Sequence, residues 1–146
     1  SENFNDRKSA LFLRIAEKLG EDNLSPLYRR VITGENTKTI DCCITTENIK
    51  LAFNKTHFLH SYNKGNQIIS YGIFDKQNND QNLDILYPFL CKSLTYIQNY
   101  CSKAWSAGSN GYITINNPIY ALIRTIDDCV QIVCTKDSSL KDADSI

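Results

Sequence analysis

The longest periodic apolar segment of the chain runs from Leu83 to Trp105, and it constrains the fold more than any other feature. Its apolar residues recur at steps of three and four, the spacing that puts side chains on one face of an α-helix. Pro88 fits the first turn of a helix better than its interior, where the missing N–H would remove a hydrogen bond. The segment therefore predicts a helix over about residues 88–105, with a kinked first turn from Leu83 as the alternative.

A second helix is predicted near the N-terminus, over roughly residues 6–19. Asn5 or Asp6 is the expected cap at its start, and Gly20 is the expected left-handed residue at its end. Its apolar stripe has the same helical spacing and consists of Leu11, Phe12, Ile15, Ala16 and Leu19.

The remaining apolar segments are rich in β-branched residues or alternate apolar with polar positions, which is typical of β-strands. Before the long helix, strands are expected in TIDCCITT, NIKLAF, THFLHSY and QIISYGIF, and after it in GYITIN, IYALIRTI and CVQIVCT. The NKGN segment and the Asp127–Asp128 pair are expected as tight turns, and such short connections join antiparallel strands. The order α-βββ-α-βββ predicts an α+β fold, with a mostly antiparallel sheet of about five or six strands packed with the N-terminal and long central helices.

Length and charge narrow the possible partners. Residues 1–146 are expected to form a single domain with its own core and a polar tail from about residue 136. The formal net charge is zero, with 16 basic and 16 acidic residues, which argues against a nucleic-acid partner because phosphate binding needs a basic surface. No apolar run approaches the roughly 18 residues of a membrane helix, and no signal peptide is expected before Phe4.

The six cysteines are expected to be reduced and structural. Cys91 and Cys101 fall on the apolar side of the predicted long helix, and Cys129 and Cys134 lie in a predicted strand. Free cysteine packs as a small hydrophobic residue, and a domain of this size needs no disulfides for stability. Reduced cysteines predict a cytoplasmic protein.

The sequence offers little support for catalysis, and neither a cofactor nor a metal ion is predicted. His57 and His60 would point to opposite faces of a strand and could not share an ion, and the cysteines lack the paired spacing of a zinc site. No glycine-rich phosphate loop is present in the sequence. The protein is therefore expected not to be an enzyme. A cysteine-dependent enzyme that pairs a thiol with one of the two histidines is the less favoured alternative.

The predicted long helix carries more apolar surface than one seam requires. Phe89, Tyr96 and Tyr100 widen its apolar arc, and helices of this kind tend to be covered by a partner as well as by their own core. This favours a homodimer through residues 89–105. The alternative is that the aromatic side chains wrap around the seam within one chain.

Three segments resemble the class I chaperones of type III secretion, which are small homodimeric α+β proteins that hold effector N-termini. The segment ALFLRIAEKLGEDNLSPL is similar to their first helix. QIISYGIFDKQNNDQNLDILYPFLCKSLTYIQNYC is similar to their third strand, polar loop and dimer helix, and GYITINNPIYALIRTIDD to the strand pair that follows. The chain departs from the family in its neutral charge and in a C-terminal segment that predicts a strand where members have a helix.

The resemblance implies a non-enzymatic homodimeric secretion chaperone that holds an extended effector segment, with no catalysis and no ATP. The alternative is an adaptor or assembly platform of the profilin, longin or roadblock kind, which binds a folded partner protein. Carried over by position, the residues that would contact the partner are Leu11, Phe12, Ile15, Leu51, Phe53, Phe58 and Leu59. Those at the dimer interface would be Leu90, Leu94, Ile97, Cys101 and Trp105.

Overall fold

The chain folds as a mostly helical protein. The computed structural model describes residues 2–136, and the structure contains 58% helix and 7% strand. The predicted α+β fold with a sheet of five or six strands is therefore wrong. The helices are α1 (Phe4–Glu21), α2 (Thr46–Asn54), α3 (Asn79–Tyr100), α4 (Ser102–Ser106) and α5 (Asn116–Lys136), with a 3-10 helix at Gly108–Gly111.

Two small sheets lie in the connections between the helices. The strands are β1 (Val31–Ile32), β2 (Ile44–Thr45), β3 (Ser61–Tyr62) and β4 (Ile68–Ser70). β1 and β2 pair in parallel, and β3 and β4 form an antiparallel hairpin. The NKGN segment makes the hairpin turn as predicted, with Asn66 in the left-handed region at a φ of 62°.

The N-terminal helix was predicted correctly. The whole predicted stripe is buried, because α1 lies across the core with that face inward. The cap is Asn3, whose side chain accepts the backbone N–H of Asn5 at 2.8 Å, so the predicted caps Asn5 and Asp6 are wrong. Gly20 does not end the helix either. A Cβ at Gly20 would lie 2.8 Å from Cβ of Val31, so glycine here permits close approach of α1 to β1.

The α2 segment was predicted as a strand and is a helix. Ile49, Ala52 and Phe53 are buried, and this i, i+3, i+4 set is a helical face. Leu51, which the alternating pattern would have placed inside a sheet, is exposed. Thr45 caps the helix, because its Oγ1 accepts the backbone N–H of Asn48 at 3.1 Å.

The α5 segment replaces the predicted strands IYALIRTI and CVQIVCT with one helix of 21 residues. The predicted strand GYITIN is wrong too, because this segment consists of the end of the 3-10 helix, a turn and the start of α5. Ile119, Ile123, Ile126 and Val130 are buried at steps of four, three and four, the spacing of a helix. The predicted turn at Asp127–Asp128 lies inside this helix, where Asp127 is buried and Asp128 is exposed. The predicted polar tail lies almost wholly outside the described residues.

The long central helix exists, but its predicted bounds are wrong. α3 begins at Asn79, after the Asn78 side chain accepts the backbone N–H of Gln81 at 3.0 Å. Pro88 consequently lies in the interior of α3, and it is exposed. The helix ends at Tyr100, and α4 continues the chain to Ser106.

The core lies where α1 meets α2, α3 and the connections. Phe12 on α1 stacks on Phe53 of α2 with ring centroids 4.9 Å apart, and Phe53 contacts Phe58 at 6.1 Å. Trp105 closes one end of the core, and its indole N–H donates to the carbonyl of Pro26 at 2.9 Å. α3 packs against α1, and α5 packs against α2. No helix within residues 2–136 is both long and apolar enough to cross a membrane.

Candidate docking groove between the third and fifth helices

A groove of about 550 Å³ lies between α3 and α5, which both pack on the core but leave a space between them. Its α3 wall consists of Phe89, Lys92, Ser93, Tyr96 and Ile97. Its α5 wall consists of Leu122, Thr125, Ile126, Cys129, Val130 and Val133. This volume is within the range of about 300–1,000 Å³ that is usual for ligand sites.

The α3 wall belongs to an aromatic stripe that continues beyond the groove to Tyr100. Phe89, at its start, is half-buried and packs against core rings. Phe89, Tyr96 and Tyr100 lie on one face of the helix at steps of seven and four, so the stripe extends over about 16 Å at the standard helical rise. Tyr96 is 73% exposed and Tyr100 is 83% exposed. Large aromatic side chains with this exposure on a regular helix are a typical feature of protein-interaction surfaces.

The α5 wall is the second apolar face of a helix whose first face is in the core. Leu122, Cys129 and Val133 are spaced by seven and four residues, and Ile126 lies between the two faces. The arc of apolar residues on α5 is therefore wider than its contact with α2 requires.

The groove is suited to apolar contact and carries little reactive chemistry. The Ser93 hydroxyl donates to the carbonyl of Phe89 at 2.9 Å, and the Thr125 hydroxyl donates to the carbonyl of Ala121 at 2.8 Å. Both hydroxyls are therefore hydrogen-bonded to backbone carbonyls of their own helices. Lys92 is the one charged side chain in the described wall, and Cys129 presents an exposed thiol.

The residues predicted to contact a partner are mostly inside the core. Six of them are buried: Leu11, Phe12, Ile15, Phe53, Phe58 and Leu59. Leu51 is 48% exposed on α2. The buried side chains contact the core of the same chain in this conformation, and their role in partner binding stays a prediction.

The residues predicted at a dimer interface divide between the core and the groove. Leu90, Leu94 and Trp105 are buried in the core. Ile97 lines the groove, and Cys101 is half-buried at the junction of α3 and α4. The aromatic residues Phe89 and Tyr96, which widened the predicted apolar arc, are part of the groove wall.

Sequence reasoning missed the whole α5 wall of the groove. Its residues were assigned to strands, although Leu122, Cys129 and Val133 have helical spacing. Pro118 was a further signal, because it lies in the first turn of α5, where proline is well tolerated.

The two histidines lie in different environments. His57 is on the loop after α2 and contacts Asp127, whereas His60 is buried beside β3 and accepts the backbone N–H of Gly72 through Nδ1 at 2.8 Å. Within residues 2–136, no group of three His, Cys, Asp or Glu side chains is arranged to hold a metal ion. No disulfide joins the cysteines of the described chain.

Comparison of the chain with models of protein families, with curated proteins and with solved structures finds no match.

Proposed function

We propose that this chain is a non-enzymatic binding protein, and that the groove between α3 and α5 binds an amphipathic helix of a protein partner. The observation that carries the proposal is the apolar wall formed by two helices and extended by the exposed Tyr96 and Tyr100. Burial of apolar surface is the main favourable term in protein association.

A helix fits this groove better than an extended segment. Helix-in-groove recognition uses apolar side chains at i, i+3 or i+4 and i+7 of the bound helix, which lie along one line as the groove walls do. An extended segment binds mainly by adding a strand to a sheet edge, and the described strands have only two or three residues each. Helix binding is therefore favoured over the extended effector segment that the resemblance to secretion chaperones implies.

Lys92 gives the proposed partner a charge preference. Lys92 is exposed and belongs to an otherwise uncharged wall. An acidic residue beside the apolar stripe of the bound helix would face this ammonium, and complementary charges favour orientation and encounter.

A second copy of the chain is the second candidate for the partner, as the predicted homodimer requires. The face of α3 with Tyr96 and Tyr100 is itself the exposed apolar stripe of a helix. In a two-fold dimer the same surface of each copy is in contact, so the stripe of one copy would bind in the groove of the other and the reverse. The formal net charge of zero gives two copies no net repulsion.

The first experiment is light scattering of the wild type and of Tyr96→Glu. If a second copy occupies the groove, the wild type has twice the mass of one 16.6 kDa chain and Tyr96→Glu has the mass of one. Tyr112→Glu is the matched control, because Tyr112 is 75% exposed and lies outside the groove wall. If both variants dissociate the dimer equally, the groove is not the dimer interface.

If the wild type is a monomer, the groove is tested with a helical peptide as the partner. The probe is a synthetic amphipathic helix with leucine at i, i+3, i+4 and i+7 and glutamate on its flanks, compared with a scrambled peptide of the same composition. Because Cys129 lies in the groove, bound helix slows its modification by a maleimide, measured by peptide mass mapping. A monomer in which neither peptide protects Cys129 would overturn the proposal.

A further inference from the structure

A second cavity lies where the start of α1, the β3–β4 hairpin and the start of α3 meet. Its volume is about 520 Å³, which is in the usual range for small-molecule sites. Its wall differs from that of the groove, because most of its lining side chains are polar or charged. Phe4, Leu59 and Ile68 supply the apolar part of the wall.

Two cations face this cavity. Lys8 is partly buried, and its Nζ donates to the carbonyl of His60 at 3.1 Å. An ammonium group has three N–H donors, so two remain for a ligand. Arg7 lies beside it, with its guanidinium 3.9 Å from the centre of the Phe4 ring and 3.8 Å from Glu2.

The carboxylate in the same wall is already satisfied by the protein. Asp75 accepts the backbone N–H groups of His60 at 2.8 Å and Gln77 at 2.6 Å, and the side-chain amide of Asn82 at 3.2 Å. Its side chain is 5% exposed. Asp75 still acts electrostatically on Lys8, but the charged side chains of the described cavity wall are two cations and this one carboxylate.

Neutral hydrogen-bonding groups surround the cations. Asn78 uses its side-chain oxygen to cap α3, and Asn79 donates its amide to the carbonyl of Arg7 at 3.1 Å. The amide nitrogen of Asn78 and the amide oxygen of Asn79 thus keep hydrogen-bonding capacity toward the cavity. Tyr62 adds a phenol group to the same wall. The wall can donate to and accept from hydroxyl groups.

We propose that this cavity binds a small polyhydroxylated carboxylate, such as a sugar acid, with the carboxylate on Lys8 and Arg7 and the hydroxyl groups on the surrounding amides. Charge-assisted hydrogen bonds are about twice as strong as neutral ones, so the carboxylate anchors the ligand. The amides and the phenol select for hydroxyl groups on the remainder of the molecule.

Burial of Lys8 supports an anionic ligand. Burial lowers the pKa of Lys8, and the charge of Asp75 only partly opposes this effect. A bound carboxylate would stabilise the charged ammonium and so oppose the effect of burial.

The test is a titration of the isotope-labelled chain with D-glucuronate and, separately, with D-glucose and acetate, followed by amide chemical shifts. Glucuronate is expected to shift signals at the start of α1, in the β3–β4 hairpin and at residues 75–79. Glucose lacks the carboxylate and acetate lacks the hydroxyl groups, so each is expected to bind at least about tenfold more weakly. Equal binding of glucose overturns the role of the cations, and equal binding of acetate overturns the role of the amides.

A matched pair of variants locates the charge. Lys8→Gln keeps most of the side-chain length and is expected to weaken glucuronate binding about tenfold or more. Lys64→Gln removes the same charge from the exposed turn of the hairpin and is expected to leave binding unchanged. Shifts confined to other parts of the chain, or no shifts with any of the three compounds, would overturn the proposal without affecting the groove.

Discussion

Asp127 of α5 holds His57 by two hydrogen bonds. Its Oδ1 accepts the backbone N–H of His57 at 3.0 Å, and its Oδ2 lies 3.1 Å from the ring Nδ1, within hydrogen-bond distance. The Asp127 side chain is 3% exposed, whereas the His57 ring is 63% exposed. The side-chain amide of Gln131 also donates to Oδ1, at 3.1 Å, and is the third contact of the carboxylate. These contacts fasten the loop after α2 to the middle of α5.

We expect Asp127→Asn to destabilise the fold by about 0.5–2 kcal/mol, because a neutral amide oxygen accepts the N–H groups of His57 and Gln131 more weakly than the buried carboxylate does. The measurement is the free energy of unfolding in urea, followed by circular dichroism.

Asp128→Asn is the matched control for that change. Asp128 is the next residue of the same helix and is exposed, so we expect its substitution to change stability by less than about 0.5 kcal/mol. Equal effects of the two substitutions would show that the charge of Asp127 adds no stability to its hydrogen bonds with His57 and Gln131.

The parts of the fold that the sequence predicted depend on local signals. The stripe of α1 keeps helical spacing over its whole length and does not alternate, and the NKGN turn depends on residues that tolerate left-handed backbone. In both segments, local preference and the tertiary environment favour the same structure.

The α2 and α5 segments were mispredicted because β-propensity is weak and depends on context. The β-branched residues of α5 satisfy alternation over short stretches and helical spacing over longer ones, and packing against α2 decides between them. Contacts distant in sequence fix this arrangement. Asn116 accepts the backbone N–H of Thr45 at 2.9 Å, and its carbonyl accepts the amide of Asn48 at 2.8 Å.

One wall of the groove could be predicted and the other could not. Phe89, Tyr96 and Tyr100 exceeded what one helical seam needs, and this excess is visible in the sequence. Leu122, Cys129 and Val133 became a wall only because α5 is a helix, and a strand would have separated them between two faces.

A second prediction concerns the alkaline pH dependence of stability. The Tyr87 hydroxyl of α3 donates to Oδ2 of Asp22, at the end of α1, at 2.7 Å. Burial, and next this hydrogen bond, raise the pKa of Tyr87 far above its ordinary value. Unfolded Tyr87 releases its proton near pH 10 while the folded chain retains it, so the stabilisation is complete below about pH 10 and is lost above it.

We therefore expect Tyr87→Phe to lower stability by about 0.5–1.5 kcal/mol at neutral pH and to reduce the loss of stability above pH 10. Urea unfolding at pH 7 and at pH 10.5 measures both effects. Tyr96→Phe removes an exposed hydroxyl from the same helix and should retain the alkaline slope of the wild type. If Tyr87→Phe loses stability above pH 10 as steeply as the wild type does, Tyr87 is not the group that causes this loss.

The final prediction tests the close backbone approach between the segment that follows β4 and the segment that precedes β3. Gly72 is buried, and its N–H donates to Nδ1 of His60 at 2.8 Å. A Cβ at this position would overlap the backbone of Leu59, which cannot move aside as a flexible side chain could. We expect Gly72→Ala to destabilise the fold by about 1–3 kcal/mol, as overpacking of a core does.

Gly65→Ala in the hairpin turn is the control, because its Cβ would have its nearest contact at 3.5 Å, with Asn63. We expect Gly65→Ala to change stability by less than about 0.5 kcal/mol. If thermal and urea unfolding give the two alanine variants the same stability, Gly72 and Leu59 do not approach as closely as the structure shows.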